Sequence, residues 1–586
     1  MDNKQNMNIM RKQILILSML ALIIAGCQKD FDKSNESDNS VKPIASNIIK
    51  AGIEGVAATK ATEKDGAFSW QSNDSLAVYT EAGTWAEFFL TDGAGTKSAT
   101  FAVNQGDEGY VAKDLILTPA SLASKTVVDV TAKKATIQLP YNYKYVEGAL
   151  NSPMYAYSSD GNLSNLLFKH LGAILKVTYY NVPAEARSLA IESADKKIWG
   201  AFEFDYSASE PKIETSDIAT SQYVYVNFEA SDIKDTMSFY VPLPIGEYNA
   251  LKTYLMDGSR KMIYDSYALF DRTKMKGTPK GAINVVRKNL VTLPQASGKF
   301  ILDPSYSIIY LGQNASSQQR IRFIPPYKAK WYYDYVTKED FETKYGSNPA
   351  RVIYRSYYYS RNLLENFKTY AFNLPNIATS DYVFVMSEHN DDGFQNPTGY
   401  YAVAVIPKTE TPSAEYSAWL GDYTVSGKSF DGSTHTPYTI SIKQAAPNKT
   451  FSITGWGSTE SSGLSAWEII ADYDEVNDAL NIKNSMIYPY NYEYPASSGL
   501  YNGFVMAVGM VHNGSGWSFV WPSCPEYAAT MKKVSGTITI EGTPNFGLGK
   551  PANTIAFYVT TPDGKTRGYF TSPNSFIQFP ATVTKN

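Results

Sequence analysis

Carboxylates are the side chains best placed to do chemistry in this chain, and they cluster in two places. Asp472-Tyr473-Asp474-Glu475-Val476-Asn477-Asp478 gathers oxygen donors of the kind calcium takes, six to eight at a time. An EF-hand loop also wants Gly at its sixth position and Glu at its twelfth, where this chain has Asn477 and Lys483. The segment is therefore expected to be a hairpin: strand Trp467–Tyr473, an acidic turn, then strand Ala479–Ile482. Glu388-His389-Asn390-Asp391-Asp392-Gly393 reads in the same way, as a loop between strands Val383–Met386 and Tyr400–Val405. A glycosidase needs two carboxylates about 5–10 Å apart in one cleft, and no motif here pairs the acids. No Gly-x-Ser-x-Gly elbow, phosphate loop or His-Glu-x-x-His occurs. The 4 His (His170, His389, His435, His512) form no close-spaced ligand pair. The 2 Cys, Cys27 and Cys524, can build neither a disulfide framework nor a Cys-based zinc site. Cys524 is expected to be structural. The expectation is a non-enzyme with no metal and no cofactor.

Aromatic stripes are the other chemical feature. Tyr488, Tyr490, Tyr492 and Tyr494 recur at period two, so on a strand their rings share one face. Buried, they are core; exposed, they could stack on sugar rings. Pro489 points to an edge strand or loop, and both readings stay open. Trp517, Phe519 and Trp521 also share a face and are expected mainly in the core. The candidate glycan contacts are thus Tyr488, Tyr490, Tyr492, Tyr494, Trp517 and Trp521.

Short strands must position these residues. The 586 residues carry 44 Tyr, 27 Phe and 9 Trp, and only 19% are charged. Tyr favours extended, half-buried surfaces. Runs such as Leu76–Tyr79, Tyr223–Val226, Tyr382–Val385 and Tyr438–Ile442 alternate with Gly, Asn, Asp and Pro turns. The fold class is therefore all-β, as sandwiches or barrels. Short helices are expected at Lys338–Lys344, Arg361–Phe367 and Pro525–Met531. Net charge is −4, or −6 without residues 1–26 (50 basic against 56 acidic). That leaves no basic footprint for nucleic acid.

The N-terminus is an address. Arg11 and Lys12 precede the apolar run Ile14–Ile24, then Ala25-Gly26-Cys27. The run is short for a membrane span and fits a secretory signal. Ile24-Ala25-Gly26-Cys27 resembles a bacterial lipobox. That resemblance implies removal of residues 1–26 and lipid attachment at Cys27, with several acyl chains giving stable anchoring. Gln28-Lys29-Asp30-Phe31-Asp32 resembles an acidic export signal that sends lipoproteins to the outer face of the outer membrane. Residues 27–47 then read as the lipidated Cys and a polar, flexible tether.

Leu293–Gly298 and Pro407–Ser413 read as junctions, giving units 48–294, 299–410 and 414–586. The first contains, in order, Lys60-Ala61-Thr62, Phe68-Ser69-Trp70 to Val78-Tyr79, Ala99-Thr100-Phe101, Leu139-Pro140-Tyr141, Met154-Tyr155-Ala156 and Phe168-Lys169-His170-Leu171-Gly172-Ala173 to Val177. This order resembles the fimbrillin family of surface lipoproteins, which implies two consecutive β-sandwich subdomains. His170 is expected to sit at a strand start, hydrogen-bonded beneath the sheet. In polymerising fimbrillins a trypsin-like protease cuts after an N-terminal Arg or Lys, releasing a strand and opening a groove for the next subunit's strand. Lys60 sits where such a cut could fall, although Arg is usual there. About 290 residues also follow the fimbrillin-like unit. A tip, accessory or uncleaved anchored adhesin fits better than a repeating stalk subunit.

The second unit, with Lys330–Val336 and Gly399–Val405, resembles fibronectin type III or immunoglobulin-like modules. The third opens Tyr416-Ser417-Ala418-Trp419-Leu420-Gly421-Asp422-Tyr423 and resembles lipocalin-like or sandwich modules of surface lipoproteins, with barrel and sandwich both open. The functional expectation is an outer-membrane, lipid-anchored adhesin or pilus component. Its expected partners are the membrane, pilus subunits, and host or bacterial surface ligands. The alternative is a glycan-binding lipoprotein of a polysaccharide-uptake system.

Overall fold

Alternating apolar residues become strands throughout, and the computed structural model is all-β. It describes residues 47–54, 69–150, 152–271, 282–303, 307–324, 330–355, 363–364, 369–390, 394, 396–457, 467–488, 504–518, 525–560, 567–569 and 573–586. Ser46–Asn586 forms one compact unit.

The first sheet closes on itself with seven strands. Their order is Ile48–Ile53, Leu166–His170, Met154–Tyr157, Ala112–Thr118, Ser75–Thr80, Trp85–Asp92 and Ser98–Val103. Alternation in the first strand turns Ile49, Ala51 and Ile53 inward and leaves Ile48 and Lys50 in solvent. Inside, Trp70 meets Phe101 and Phe168 edge-on, with ring centroids 5.0 and 5.4 Å apart. Such aromatic pairs add to the burial of their large apolar areas.

Leaving His170, the chain crosses into a second layer pair. Ala173–Tyr180 lies between Thr236–Leu243, antiparallel, and Leu290–Thr292, parallel. A second sheet runs Ala268–Asp271, Ala250–Asp257, Ala186–Ser193, Gln222–Asn227 and Asn142–Lys144. Leu175, Val177, Leu189, Ile191, Phe239 and Leu251 belong to one shared core. Tyr179 is buried there, its hydroxyl bonded to Thr253 Oγ1 and the Ser266 carbonyl, both at 2.8 Å.

Next comes a five-stranded sheet in the order Ile301–Leu302, Pro397–Ile406, Tyr382–His389, Lys330–Thr337 and Leu363–Leu364. A three-stranded sheet, Ser307–Gln313, Gln319–Ile324 and Thr369–Phe372, accompanies it. Phe323, Trp331, Phe372, Phe384 and Met386 fill their common core.

The last strands form a closed eight-stranded barrel. It runs Gly421–Lys428, Tyr438–Gln444, Thr450–Thr454, Ile469–Asp474, Ala479–Lys483, Tyr527–Val534, Thr537–Gly542 and Gln578–Lys585, the last pairing with the first. Beside it lies a sheet of Ser485–Tyr488, Phe504–His512, Thr554–Thr560 and Arg567–Tyr569. Trp419, Trp456, Tyr416 and Tyr423 are almost fully enclosed in the associated core.

Among the described residues, helices are few and short. Lys338–Thr343 forms where expected, with the Thr337 hydroxyl accepting from the Asp340 N–H as an N-cap. Two others, Pro349–Arg355 and Ala414–Ala418, were not expected. Pro525–Met531 is not a helix. Tyr527–Val534 is a strand paired on both sides, with Ala479–Lys483 and Thr537–Gly542. Its Ala, Met and Lys residues favour helix locally, but closing the barrel requires a strand there. Within Arg361–Phe367, Leu363–Leu364 is a strand and the remaining residues lie outside the described set.

Adjacent sheets are fastened by polar bonds as well as apolar contact. Leu269 N–H donates to Asn396 Oδ1 at 2.7 Å, the Tyr180 hydroxyl to the Thr398 carbonyl at 2.6 Å, and Phe270 packs edge-on against Phe394. Gly312, at φ 78°, lets its strand approach the barrel so closely that a Cβ would lie 2.5 Å from the Gln444 carbonyl oxygen.

Candidate functional site

The first strand, like Ala173–Tyr180, is seated between an antiparallel and a parallel neighbour. Its two neighbours are far apart in sequence: Ile48–Ile53 runs antiparallel to Ser98–Val103 and parallel to Leu166–His170. Backbone bonds hold its ends on both sides, Ile53 N–H to the Lys97 carbonyl and Glu54 N–H to the Phe168 carbonyl, each at 3.0 Å.

Directly after the last inward residue, Ile53, comes Glu54, 8% exposed. Its carboxylate collects three kinds of donor. Arg287 reaches Oε1 at 2.5 Å and Oε2 at 3.3 Å. Lys288 Nζ lies 2.8 Å from Oε2, and the His170 N–H donates to Oε1 at 2.5 Å. Arg287 also donates to the His170 carbonyl at 2.9 Å and to Glu210. The two basic residues lie in the turn between strands Ile283–Val285 and Leu290–Thr292. The second layer pair therefore reaches back to grip the end of the first strand. A buried carboxylate needs this degree of pairing, because leaving water unpaired is costly.

His170 lies beneath the same cluster. It ends its strand rather than starting it, and it is 1% exposed. Its Nδ1 is 2.9 Å from Ser152 Oγ. Burial, outweighing the opposing pull of Glu54, pushes its pKa down to about 4, and Arg287 and Lys288 add to the depression. His170 is thus a neutral structural residue at neutral pH.

The acidic segment after residue 471 is a hairpin, with Asp474 opposite Ala479. Its carboxylates are engaged within the protein. Asp472 bonds the Tyr527 hydroxyl at 2.7 Å and pairs with Lys483. Asp474 accepts from the Asn477 side chain and N–H, which hold its pKa below the usual carboxylate range. Asp478 accepts from Trp419 Nε1 and from Lys533, both at 2.7 Å. Strands Tyr382–His389 and Pro397–Ile406 pair around the second acidic segment, where Asp391, Asp392 and Gly393 lie outside the described residues. Among the described residues no group of three or more His, Cys, Asp or Glu could hold a metal ion.

Of the aromatic candidates, Trp517 is half-buried, its Nε1 donating to Asn574 Oδ1 at 2.8 Å. It joins a cluster not foreseen from sequence: Phe430, 40% exposed, lies 5.2 Å from Trp517 and 4.0 Å from His512 between ring centroids. Tyr488 ends the strand Ser485–Tyr488. Tyr490, Tyr492, Tyr494, Phe519, Trp521 and Cys524 lie outside the described residues, as do Cys27 and Lys60. The sequence reading also missed Glu54, Arg287 and Lys288. The available signals were an acid ending an apolar alternation and a basic pair a few residues before the Leu293–Gly298 junction.

No described helix is long and apolar enough to cross a membrane. No family model matches the sequence, and no curated protein matches it. Three solved structures show limited likeness. A cell-adhesion candidate from Bacteroides uniformis is 11% identical, with 47% of this chain and 94% of that chain covered and a TM-score of 0.24. The tip fimbrial protein Mfa3 from Porphyromonas gingivalis, truncated at its C-terminus, is 12% identical over 47% of this chain and 98% of its own, with a TM-score of 0.21. The fimbrial anchor protein Mfa2 from the same organism is 10% identical over 47% and 96%, with a TM-score of 0.19. Likeness at this level leaves function to be argued from the chain itself.

Proposed function

We propose that this chain is a surface-exposed, lipid-anchored adhesin without enzymatic activity, serving as a tip, accessory or anchor component of a fimbrillin-type pilus. Three units would divide the work: 48–294 resembling a pilus subunit, with 299–410 and 414–586 projecting as binding or spacer modules. The observation that carries the reading is the position of Ile48–Ile53. It is a seated strand that follows the lipobox and tether in sequence and precedes Lys60, bonded on both edges to strands from elsewhere in the chain. Mass spectrometry of the native mature N-terminus tests this, together with surface labelling of intact cells. The expected result is an acylated Cys27 start on protein accessible from outside. An Ala61 start would move the protein to the polymerising class. An unacylated protein inaccessible from outside would overturn the proposal.

The Phe430, His512 and Trp517 cluster favours a second reading, a glycan-binding lipoprotein of a polysaccharide-uptake system. Inclined aromatic rings beside the Asn574 amide match the mixed apolar and polar faces of a sugar. Calorimetry over a glycan panel should then find a ligand whose affinity falls at least about tenfold in Phe430→Ala, a loss of about 1.4 kcal/mol. Heat-silent titrations across the panel would remove this reading.

A further inference from the structure

We infer that the sheet of Ala268–Asp271, Ala250–Asp257, Ala186–Ser193, Gln222–Asn227 and Asn142–Lys144 carries on its outer face a binding platform for a neutral glycan, built by Tyr223, Tyr225 and Tyr254 around Ala190. The inference gives the adhesin proposed above a ligand class, and to that extent it rests on that reading. Its residues belong to unit 48–294, whereas the Phe430 cluster belongs to unit 414–586.

Strand register assembles the platform. Val224, Leu189, Ile191, Leu251 and Leu255 turn into the core, so the alternate residues of the same strands share the opposite face. On that face Ala190 lies between its two cross-strand partners, Tyr225 and Tyr254. Two residues along, Glu192 lies between Tyr223 and Lys252. The solvated face of a sheet is normally polar, yet here three half-buried rings occupy it. Ala190 is 0% exposed although it points away from the core. The flanking rings enclose it and form the sides of a shallow trough, with the small methyl group as its floor. Tyr225 and Tyr254 stand two strand spacings apart, about 10 Å, which suits a short run of sugar rings. The planes of Tyr223 and Tyr225 are 13° from parallel, with ring centroids 6.4 Å apart. On the far side, Tyr254 packs against the core that Leu269 shares with Val352 and Ile353 of helix Pro349–Arg355.

The chemistry of the face chooses the occupant. All three strands that carry it are interior strands of their sheet, so it offers no edge for an added peptide strand. Recognition therefore falls to side chains. Tyr supplies rigid, amphipathic contact area at low entropic cost: apolar rings for the C–H faces of a sugar, hydroxyls for its rim. Burial, with the Glu192 charge adding, raises the pKa of Tyr223 and Tyr254 and keeps both hydroxyls neutral. Glu192 and Lys252 are bonded at 2.6 Å and set an acceptor beside a donor, the complement of neighbouring sugar hydroxyls. Their charges cancel, so the platform has no net charge to draw an ionic ligand. Glu192 is 8% exposed, so a hydrogen bond made there is made out of bulk water.

The test titrates the full mature chain with cello-, manno-, xylo- and galacto-oligosaccharides by calorimetry, with sulfated and uronic-acid oligosaccharides beside them. At least one neutral class should bind. Tyr225→Ala and Tyr254→Ala should each weaken that binding at least about tenfold. Tyr225→Phe, which keeps the ring, should weaken it less. Replacing the ion pair by Glu192→Gln with Lys252→Met leaves net charge unchanged and should also weaken binding. The wild-type chain supplies a measurement that no folding defect in a variant can imitate. The ring resonances of Tyr223, Tyr225 and Tyr254 should shift together as the neutral ligand is added. Silence across the neutral panel, a preference for the charged oligosaccharides, or rings unmoved by a bound ligand would overturn the inference. So would binding lost in Phe430→Ala and kept in the tyrosine variants, which would place the glycan at the other cluster. Self-association of the chain that Tyr225→Ala abolishes would overturn it as well, by giving the face to a second copy. The adhesin reading fails separately, through the mature N-terminus and surface labelling, neither of which depends on sugar binding.

Discussion

Glu468→Ala should open the junction between the three-stranded sheet and the C-terminal barrel at a cost of about 3–5 kcal/mol, the usual effect of removing one partner from a buried ion pair. Arg322 Nη2 lies 3.0 Å from Glu468 Oε2, and its Nη1 donates to the Glu468 carbonyl at 2.9 Å. Arg320 adds a bond to Oε1 at 3.1 Å, and the Ser452 hydroxyl donates to the same oxygen at 2.9 Å. Arg322 and Glu468 are each 8% exposed. Burial lowers the Arg322 pKa, with Glu468 holding it up and Arg320 pushing it further down. Removing the carboxylate therefore leaves two guanidinium groups close together without an anion between them. Hydrogen exchange at Gln319–Ile324 and Ile469–Asp474 reads this opening locally, which suits a chain of several packed sheets better than one global transition. Replacing all three residues, with Arg320→Met, Arg322→Met and Glu468→Leu, should recover most of the loss, since a well-packed apolar set commonly matches a buried ionic one. A change under about 1 kcal/mol in Glu468→Ala would show that the junction is held by apolar packing alone.

This triad also marks where sequence reading stops. The all-β class was legible because alternation is local: Tyr438–Gln444 turns Tyr438, Ile440 and Ile442 inward at period two. The hairpin at Asp474 and Ala479 was legible because turn chemistry and strand alternation occupy neighbouring residues. Sheet closure was not, since pairing the first barrel strand, Gly421–Lys428, with the last, Gln578–Lys585, leaves no local mark. Tyr527–Val534 shows the reverse problem, a helix-favouring composition overruled by two neighbouring strands. The grip on the first strand was the least accessible, because Glu54 and Arg287 are 233 residues apart. Sequence does place Glu54 at the end of an apolar alternation, which marks an acid about to be buried but does not name its partner.

His170 should make the N-terminal barrel lose stability as the pH falls from about 6.5 to about 4. Burial holds the folded-state pKa near 4, whereas an unfolded chain would titrate near 6.5. Between those values the unfolded state binds more protons, so stability rises with pH and the contribution is complete above about 6.5. Titration at about 4 instead of about 6.5 corresponds to about 3 kcal/mol lost once the pH is below 4. Other carboxylates titrate in the lower part of this window, so a site-specific probe is required. The His170 ring resonances should titrate near 4 by NMR, and the opening free energy of Leu166–His170 should fall in parallel. His170→Gln should flatten the slope across the upper part of the window, where carboxylates are already ionised. It should also lower the plateau at neutral pH, because the ring fills a site against Ser152. Glu54→Gln gives the sharper check. The Glu54 charge favours the protonated ring while Arg287 and Lys288 oppose it, so neutralising Glu54 should drive the His170 titration still lower. An unchanged or higher value in that variant would mean that the Glu54 charge does not act on the ring. Titration of the wild-type ring near 6.5 would mean that His170 is solvated rather than enclosed at the end of the first strand's slot.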